Sequence, residues 1–443
     1  MRKTAAIMTL GCKTNQFESS VMEKTLVSCG YEIVPFDQGA DLMIVNTCTV
    51  TAATDSQSRN LIRRCHRLNP QARIVVTGCY AQLQPEAFEK YPGVALVLGN
   101  EEKHDLGKFL QKETPEQRVQ VSDICSASRP MTVPAASRTS RSRAFLQVQN
   151  GCNAFCSYCI IPYVRGRSRS LPLKTIMEKV DSLTREGFEE IVLTGIHLGH
   201  YGLDLSPSVT FTDLVAEIER NSDIRRLRIG SIEPNEISER LIDLMAASGK
   251  LCPHFHIPLQ SGNDRILERM RRPYSCTFFQ DLVVRINSRV ADVAIGIDVI
   301  TGFPGETEQE FQNTLDFIDS LPLSFLHVFP FSVRPGTEAA GFSQQVPVGV
   351  IKERAARLRC LGEAKEKQYM NRYIGKTLEV IVEGKNGERM CRGLAPNYLK
   401  VVFPCCREVE RQSVQVRIDR IAGGELTGEA VVIQGMGEDL INT

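Results

Sequence analysis

The strongest constraint on the fold is an alternation: strand-length apolar runs separated by stretches of helical period continue to about Met370, and after Ile374 the helical stretches vanish. Strands joined through helices require right-handed crossovers and parallel sheets. In the first part, strands are expected at residues 5–10, 41–46, 73–77 and 94–98, with helices at 18–29 and 56–68. Three of those strands end alike, in Leu10-Gly11-Cys12, Asn46-Thr47-Cys48 and Thr77-Gly78-Cys79. The carboxyl edge of an open parallel sheet is where ligands bind, so Cys12, Cys48 and Cys79 are expected to converge on one site although they are distant in sequence. No fourth strand-end cysteine follows, which leaves such a site with an open coordination position.

A second series of six strand–helix repeats has strands at 145–148, 190–194, 226–230, 254–259, 294–300 and 325–329, and helices such as 175–186, 211–220 and 237–247. Loops rich in Gly, Pro, His and Glu after these strands suit a complete or partial βα barrel with its chemistry at the carboxyl face. Strands without helices follow at 377–382, 399–403, 414–418 and 429–433, the pattern of a small β-barrel or sandwich. The expected organisation is therefore α/β and multidomain: an open parallel sheet domain over 1–125, a linker over 126–143, a partial (β/α)6 barrel over 144–370 and a small β domain over 371–443. A length of 443 residues accommodates about three domains.

Lys plus Arg number 53 against 52 for Asp plus Glu, so no global charge selects a polyanion or an acidic partner. The short apolar runs exclude a membrane span, and the few apolar residues before Gly11 are too short for a signal peptide, so a cytoplasmic protein is expected. Fifteen cysteines spread over the chain favour metal or redox chemistry over a disulfide framework. Cys29, Cys65, Cys125, Cys252, Cys276, Cys360, Cys391, Cys405 and Cys406 are read as small hydrophobes without a chemical role.

The densest motif is Gly151-Cys152-Asn153-Ala154-Phe155-Cys156-Ser157-Tyr158-Cys159, directly after the first barrel strand. Three thiolates so close can grip an iron–sulfur cluster. Zinc is the alternative, with His197 or His200 as the fourth ligand. Local positive charge accompanies the motif. Between Asp123 and Glu178 there is no acidic residue, while Arg129, Arg138, Arg141, Arg143, Arg165, Arg167, Arg169 and Lys174 are basic, a pattern suited to a polyanion. Arg59, Arg63 and Arg67 share one face of a predicted helix. The carboxy-terminal part, by contrast, carries ten basic and ten acidic residues from Asn371 to Thr443.

The loop holding Cys152, Cys156, Tyr158 and Cys159 at the first strand of a βα barrel resembles the radical S-adenosylmethionine superfamily. The resemblance implies a [4Fe–4S] cluster on the three cysteines, with one iron open to the amino and carboxylate groups of S-adenosylmethionine. An electron from the reduced cluster then splits the sulfonium to a 5′-deoxyadenosyl radical. It further implies that Tyr158 lies near the adenine and that Gly195, Ser231, Glu233, Gln260 and the strand 296–302 line the cofactor pocket. With Thr9-Leu10-Gly11-Cys12-Lys13-Thr14-Asn15, Val45-Asn46-Thr47-Cys48-Thr49-Val50 and a TRAM-like β domain, the whole layout is similar to the methylthiotransferases. That family implies a second [4Fe–4S] cluster, on Cys12, Cys48 and Cys79, whose open iron presents sulfur to the substrate. One S-adenosylmethionine methylates the sulfur and another supplies the radical.

The family acts on isopentenyladenosine in tRNA, on threonylcarbamoyladenosine in tRNA, or on an aspartate of a ribosomal protein. Residues 191–199, 254–262 and the opening Gly11-Cys12-Lys13 look most like the threonylcarbamoyladenosine branch, which adds a 2-methylthio group at position 37 beside the anticodon. The implied partners are a tRNA anticodon stem-loop, held in part by the TRAM-like domain, a low-potential electron donor and a sulfur donor of unspecified nature. A non-catalytic zinc protein that binds RNA is the distant alternative. Pro304-Gly305-Glu306 and Arg334-Pro335-Gly336-Thr337 are read as substrate loops or plain turns.

Overall fold

The computed structural model describes residues 2–111, 117–127, 142–386, 390–405 and 412–433. Most of the expected linker, with Arg129, Arg138 and Arg141, lies outside the described residues, as does Cys406.

The amino-terminal part is an all-parallel sheet of β1 (Thr4–Thr9), β2 (Glu32–Ile33), β3 (Leu42–Thr47), β4 (Arg73–Gly78), β5 (Val94–Leu98) and β6 (Val119–Gln120). Their spatial order is β2-β1-β3-β4-β5-β6. Helices cover both faces, and β3 is buried at every position, so its residues Leu42 to Val45 are apolar without alternation before the buried polar pair Asn46 and Thr47. The two edge strands β2 and β6 were not expected; two residues each are too few to show a period. Helix α1 (Lys13–Ser28) begins five residues before the expected start. Its first turn is polar and looks like loop, yet Thr14 and Asn15 are buried against the sheet. Helix α2 (Ala52–Leu68) opens with a reciprocal capping box between Thr51 and Thr54.

The central part is a six-strand partial barrel. Strands β7 (Arg143–Gln147), β10 (Glu190–Thr194) and β11 (Arg226–Ile229) form one half, ordered β11-β10-β7. Strands β12 (His254–Gln260), β13 (Ala294–Thr301) and β14 (Phe325–Pro330) form the other. Bridges between Leu227 and Leu251 and between Ser231 and His256 join the halves, and a short hairpin of β8 (Gln149–Asn150) and β9 (Arg169–Ser170) sits beside the mouth. Strand parity divides the two faces. Ile191, Leu193, Leu227, Ile229, Ile257 and Ile297 pack in the core with the outer helices. The alternate residues, including Glu190, Arg228, His254, His256, Asp298 and His327, therefore face the lumen. The lumen is polar, and that polarity is written in the sequence as Arg226-Leu227-Arg228-Ile229 and His254-Phe255-His256-Ile257.

The carboxy-terminal part closes as a barrel of β15 (Thr377–Lys385), β16 (Met390–Leu394), β17 (Lys400–Pro404), β19 (Glu425–Ile433) and β18 (Ser413–Ala422), in that order. The sequence reading missed β16. The β16–β17 turn plugs the amino-terminal end of the central lumen: Arg228 donates to the carbonyls of Pro396 at 2.7 Å and Ala395 at 3.2 Å, and Tyr398 stacks on His254 at 4.4 Å. The same strand pairing corrects the reading of two cysteines. Cys391 and Cys405, expected to have no role, are joined as a disulfide with Cα atoms 5.7 Å apart. Cys29, Cys125 and Cys360 are exposed instead of buried. Among the described residues no helix is long and apolar enough to cross a membrane.

Candidate active site

Cys12, Cys48 and Cys79 stand just past the carboxyl ends of β1, β3 and β4, which are adjacent in the sheet. The chain reverses direction across the sheet between β1 and β3, and this switch point opens a crevice. Two side chains lock the strand ends. Asn15 donates to the carbonyls of Leu10 at 2.7 Å and Thr47 at 3.0 Å. The Thr47 hydroxyl donates to the Thr77 carbonyl at 2.6 Å and accepts from the Ala81 amide at 3.2 Å. The glycines before two of the cysteines are required by space and conformation. Gly11 (φ +96°) and Gly78 (φ +95°) are left-handed, and a Cβ would lie 2.8 Å from Cys48 Sγ in the first case and 2.4 Å from the Thr47 carbonyl in the second.

Behind this trio is a buried charge network that the sequence reading missed. Arg165, six residues past Cys159 and 1 % exposed, donates through Nε to Cys79 Sγ at 3.2 Å. Its other nitrogens bind Asn15 and Glu18, and Lys103 pairs with Glu18 at 2.6 Å. Burial by itself would raise the Glu18 pKa, but Arg165 and Lys103 outweigh it and hold the carboxyl at about 2. Two basic groups thus face one carboxylate, and the surplus is suited to an anionic group on the thiols. Burial, then Cys79 and Cys12, push the Cys48 thiol up to about 12.

The second trio is local. Cys152, Cys156 and Cys159 lie on a loop anchored by Ser157, whose hydroxyl donates to the Arg269 carbonyl at 2.7 Å and whose amide donates to the Met270 carbonyl at 3.2 Å. Arg272 donates to Cys156 Sγ at 3.3 Å and pairs with Glu233. His197 Nδ1 lies 3.3 Å from Cys152 Sγ while Nε2 lies 2.6 Å from Glu236. Burial opposes protonation of His197, but Cys152 and Glu236 push its pKa up to about 9. Burial, then Cys156, push the Cys159 thiol up to about 12.

The spacing of the sulfurs tests which group fits. A tetrahedral zinc with Zn–S near 2.3 Å draws its sulfurs to about 3.8 Å from one another. Among the described residues, the groups of three whose ligand atoms all lie within 4.8 Å are His197–His200–Glu236 and His256–Asp298–His327, and neither thiol trio is that tight. The wider trios suit a cluster with several irons. The partners of Cys12 and Cys79, an amide at 3.9 Å and a guanidinium at 3.2 Å, cap neither thiol with a further anionic ligand.

The two sites are neighbours. Cys79 packs with Ile160 and Val164, the former adjacent to Cys159. A cavity of about 200 Å³ opens beside them, bordered by Val50 and Thr51 of the Cys48 loop and by Tyr158, Cys159, Gln260 and Asp298 of the barrel. Tyr158 and Gln260 thus meet at the cavity, Gln260 with a left-handed φ of +69°. Gly195, Ser231 and Glu233 do not line it. Gly195 packs over Gln149, whose Oε1 accepts from the amides of Ile196 at 3.0 Å and His197 at 2.8 Å. Ser231 bridges to His256, and Glu233 is taken by Arg272. Beside the cavity, Asp298 accepts from His256 at 2.8 Å and His327 at 3.2 Å. Burial would raise its pKa, but the two imidazoles hold it well below the ordinary carboxylate range.

Part of the expected polyanion patch is spent inside the molecule. Arg165 is buried in the first site, Arg143 pairs with Glu383 at 2.5 Å, and Arg169 pairs with Glu101 at 2.5 Å; Arg167 and Lys174 remain exposed. On α2, Arg63 and Arg67 are exposed and Arg59 is half-buried, donating to the Tyr80 hydroxyl at 2.8 Å. Neither candidate substrate loop is a free one. Glu306 accepts from Gly302 at 2.8 Å and pairs with Arg354 at 2.7 Å, while Arg334 ties the barrel to Thr49 and Asp55, both at 2.7 Å.

A partial βα barrel with a three-cysteine loop after its first strand defines a radical S-adenosylmethionine enzyme, and residues 146–318 match the radical SAM superfamily. Residues 4–99 match Uncharacterized protein family UPF0004 and residues 371–431 the TRAM domain. The chain is 40 % identical to threonylcarbamoyladenosine tRNA methylthiotransferase MtaB of Bacillus subtilis (strain 168), over 94 % of this chain and 93 % of that one. It is 38 % identical to the protein of that name from Aquifex aeolicus (strain VF5), over 91 % and 97 %. It is 34 % identical to tRNA-2-methylthio-N(6)-dimethylallyladenosine synthase of Acetivibrio thermocellus, over 97 % and 91 %. The chain belongs to the radical S-adenosylmethionine tRNA methylthiotransferase family. Among solved structures, the radical S-adenosylmethionine methyltransferase TsrM from Kitasatospora setae superposes with a TM-score of 0.57 over 76 % of this chain and 77 % of that one, at 17 % identity, a likeness of fold.

Proposed function

We infer that this chain adds a 2-methylthio group to N6-threonylcarbamoyladenosine at position 37 of tRNA, beside the anticodon. The observation that carries the chemistry is a cavity bordered both by the loop after Cys48 and by Cys159. The substrate follows the relatives: those named for threonylcarbamoyladenosine are 36–40 % identical, and those named for dimethylallyladenosine 32–34 %.

In this reading Cys152, Cys156 and Cys159 hold one [4Fe–4S] cluster and Cys12, Cys48 and Cys79 hold a second. When bound, the barrel cluster with S-adenosylmethionine supplies a hydrogen-abstracting radical and a methyl group, and the second cluster supplies the sulfur. The chain's own side chains do the rest. Arg165 and Arg272 each fix a cation against one trio, where burial makes it worth more than in water. Tyr158 and Gln260 shape the cofactor side of the cavity, and Ile160 and Ile161 form its dry wall between the two sites. Exposed Arg63, Arg67, Arg167 and Lys174 meet phosphates of the anticodon stem-loop, with the TRAM domain as a further RNA contact. A low-potential electron donor would be the partner that supplies the electron to a cluster held by Cys152, Cys156 and Cys159.

The test is mass spectrometry of tRNA nucleosides from cells lacking the protein. Loss of 2-methylthio-threonylcarbamoyladenosine alone is expected. Loss of the 2-methylthio-dimethylallyl nucleoside instead would transfer the assignment to that substrate, and no change in either would remove tRNA methylthiolation from this chain.

A further inference from the structure

The floor of the barrel lumen is built by all three parts of the chain, and its charges are almost fully matched. Arg228 pairs with Glu190 at 2.7 Å, Arg143 with Glu383 at 2.5 Å, and Arg226 with Glu379 at 2.6 Å. Lys13 is the exception. It is the first residue of α1, directly after Cys12, and it is half-buried. Its ammonium lies 5.8 Å from the centroid of the Tyr398 ring and makes no hydrogen bond or ion pair with any described residue. Tyr398 in turn stacks on His254 and lies 5.5 Å from Phe325. Beyond Phe325 come His256 and His327, at 6.4 and 5.5 Å, tied to Asp298 at the edge of the cavity that holds Cys159. An aromatic and imidazole wall therefore runs from the reaction cavity to an unmatched cation.

A half-buried ammonium that rests on the Tyr398 ring, while the Glu190 carboxylate that attracts it is held by Arg228, has lost part of its hydration for a weak return, which is tolerated where a ligand supplies the missing charge. The threonylcarbamoyl substituent ends in a carboxylate, whereas a dimethylallyl substituent is neutral. Lys13 follows Cys12 directly and opens α1, so a group gripped by its ammonium is held by the same segment that carries the first thiol of the trio. We propose that Lys13 binds the carboxylate of the N6-threonylcarbamoyl group and that this pairing selects the charged substituent over neutral ones. The assignment rests on the substrate reading above and deepens it. A neutral substituent leaves Lys13 desolvated and unpaired, so selection comes as much from rejecting the wrong substrate as from holding the right one.

The experiment compares two anticodon stem-loop RNAs, one bearing N6-threonylcarbamoyladenosine and one bearing its carboxamide, in which the carboxylate is neutralised without loss of shape. Their affinities for the reconstituted enzyme are measured by fluorescence anisotropy at one fixed salt concentration. The unaltered enzyme should prefer the acid by about tenfold or more, as for a charge-assisted contact. Lys13→Met should bind both RNAs equally, and Lys13→Arg should keep most of the preference. Equal binding of acid and amide by the unaltered enzyme, or a full preference retained in Lys13→Met, overturns the proposal. Iron content is measured on each variant, and if Lys13→Met loses iron the acid and amide pair on the unaltered enzyme decides alone. Failure of the substrate reading has a different signature: the unaltered enzyme would then methylthiolate a dimethylallyladenosine RNA and leave the threonylcarbamoyladenosine RNA unchanged.

Discussion

The two thiol sites solve the same problem by opposite means. Cys152, Cys156 and Cys159 sit within eight consecutive residues on one anchored loop, so local chain geometry already gathers them. Cys12, Cys48 and Cys79 are gathered only because β1, β3 and β4 are adjacent and parallel, so their site exists only when the sheet is folded. Both supporting cations are buried, but their carboxylate partners differ: Arg165 crosses from the barrel to the amino-terminal sheet to a Glu18 side chain 3 % exposed, while the Arg272 partner Glu233 keeps its side chain 20 % exposed. A site assembled by topology needs a rigid, fully buried frame, whereas a site on a loop tolerates a partly wet one.

Replacing one trio at a time breaks this pairing most severely. Cys12, Cys48 and Cys79 changed together to Ala should remove about four irons per chain and abolish methylthiolation, while S-adenosylmethionine cleavage at the other trio persists. Iron analysis together with product analysis reads both. Retention of all iron in that variant would dissolve the two-site comparison.

Next in size is the frame. Arg165→Met breaks a buried ion pair, leaving Glu18 with Lys103 alone and Asn15 and Cys79 without the guanidinium, and should destabilise the protein by about 3 kcal/mol or more in urea unfolding. Arg272→Met should cost about 1–3 kcal/mol, because water reaches its carboxylate partner. The reverse order would show that the loop site is the more tightly framed.

The smallest expected effect is on acid stability. The folded-state pKa of Glu18 is depressed to about 2 from an ordinary 4.5, so its contribution is complete above about pH 4.5 and is lost as pH falls toward 2. Glu18→Gln should flatten the acid limb of stability across that window while leaving the slope near neutrality unchanged. Unfolding midpoints measured between pH 2 and 6 test this, and an unaltered acid limb would place the titrating group elsewhere.

Much of this architecture was legible before folding was considered. The strands at 73–77, 190–194 and 294–300 lie within a residue of their observed bounds, because buried parallel strands are continuous apolar runs and barrel strands alternate. The strands β2 and β6 were not legible, since two residues carry no period, and β16, Met390-Cys391-Arg392-Gly393-Leu394, was hidden because a charged residue and a glycine interrupt its apolar pattern. The basic window around the second trio misled in part. Acid-free sequence looks like a surface patch, yet Arg143, Arg165 and Arg169 find carboxylates that lie tens or hundreds of residues away. Glu18, Lys103 and Arg165 gave no local signal either, because a buried ion pair between distant segments leaves no spacing to read.

The amino-acid order by itself determined the six strand-end and loop cysteines, the glycines that let the chain turn beside them, and the alternation that builds two parallel systems and a small closed barrel. Those are nearest-neighbour properties, set by backbone sterics and by the period of apolar side chains. Only the tertiary structure decided that a turn of the last domain floors the lumen of the second, that Arg165 reaches back to Cys79, and that Lys13 forms no ion pair among the described residues. These depend on which distant surfaces meet, and the low dielectric of the buried contact, not the local sequence, sets the strength of the charges there.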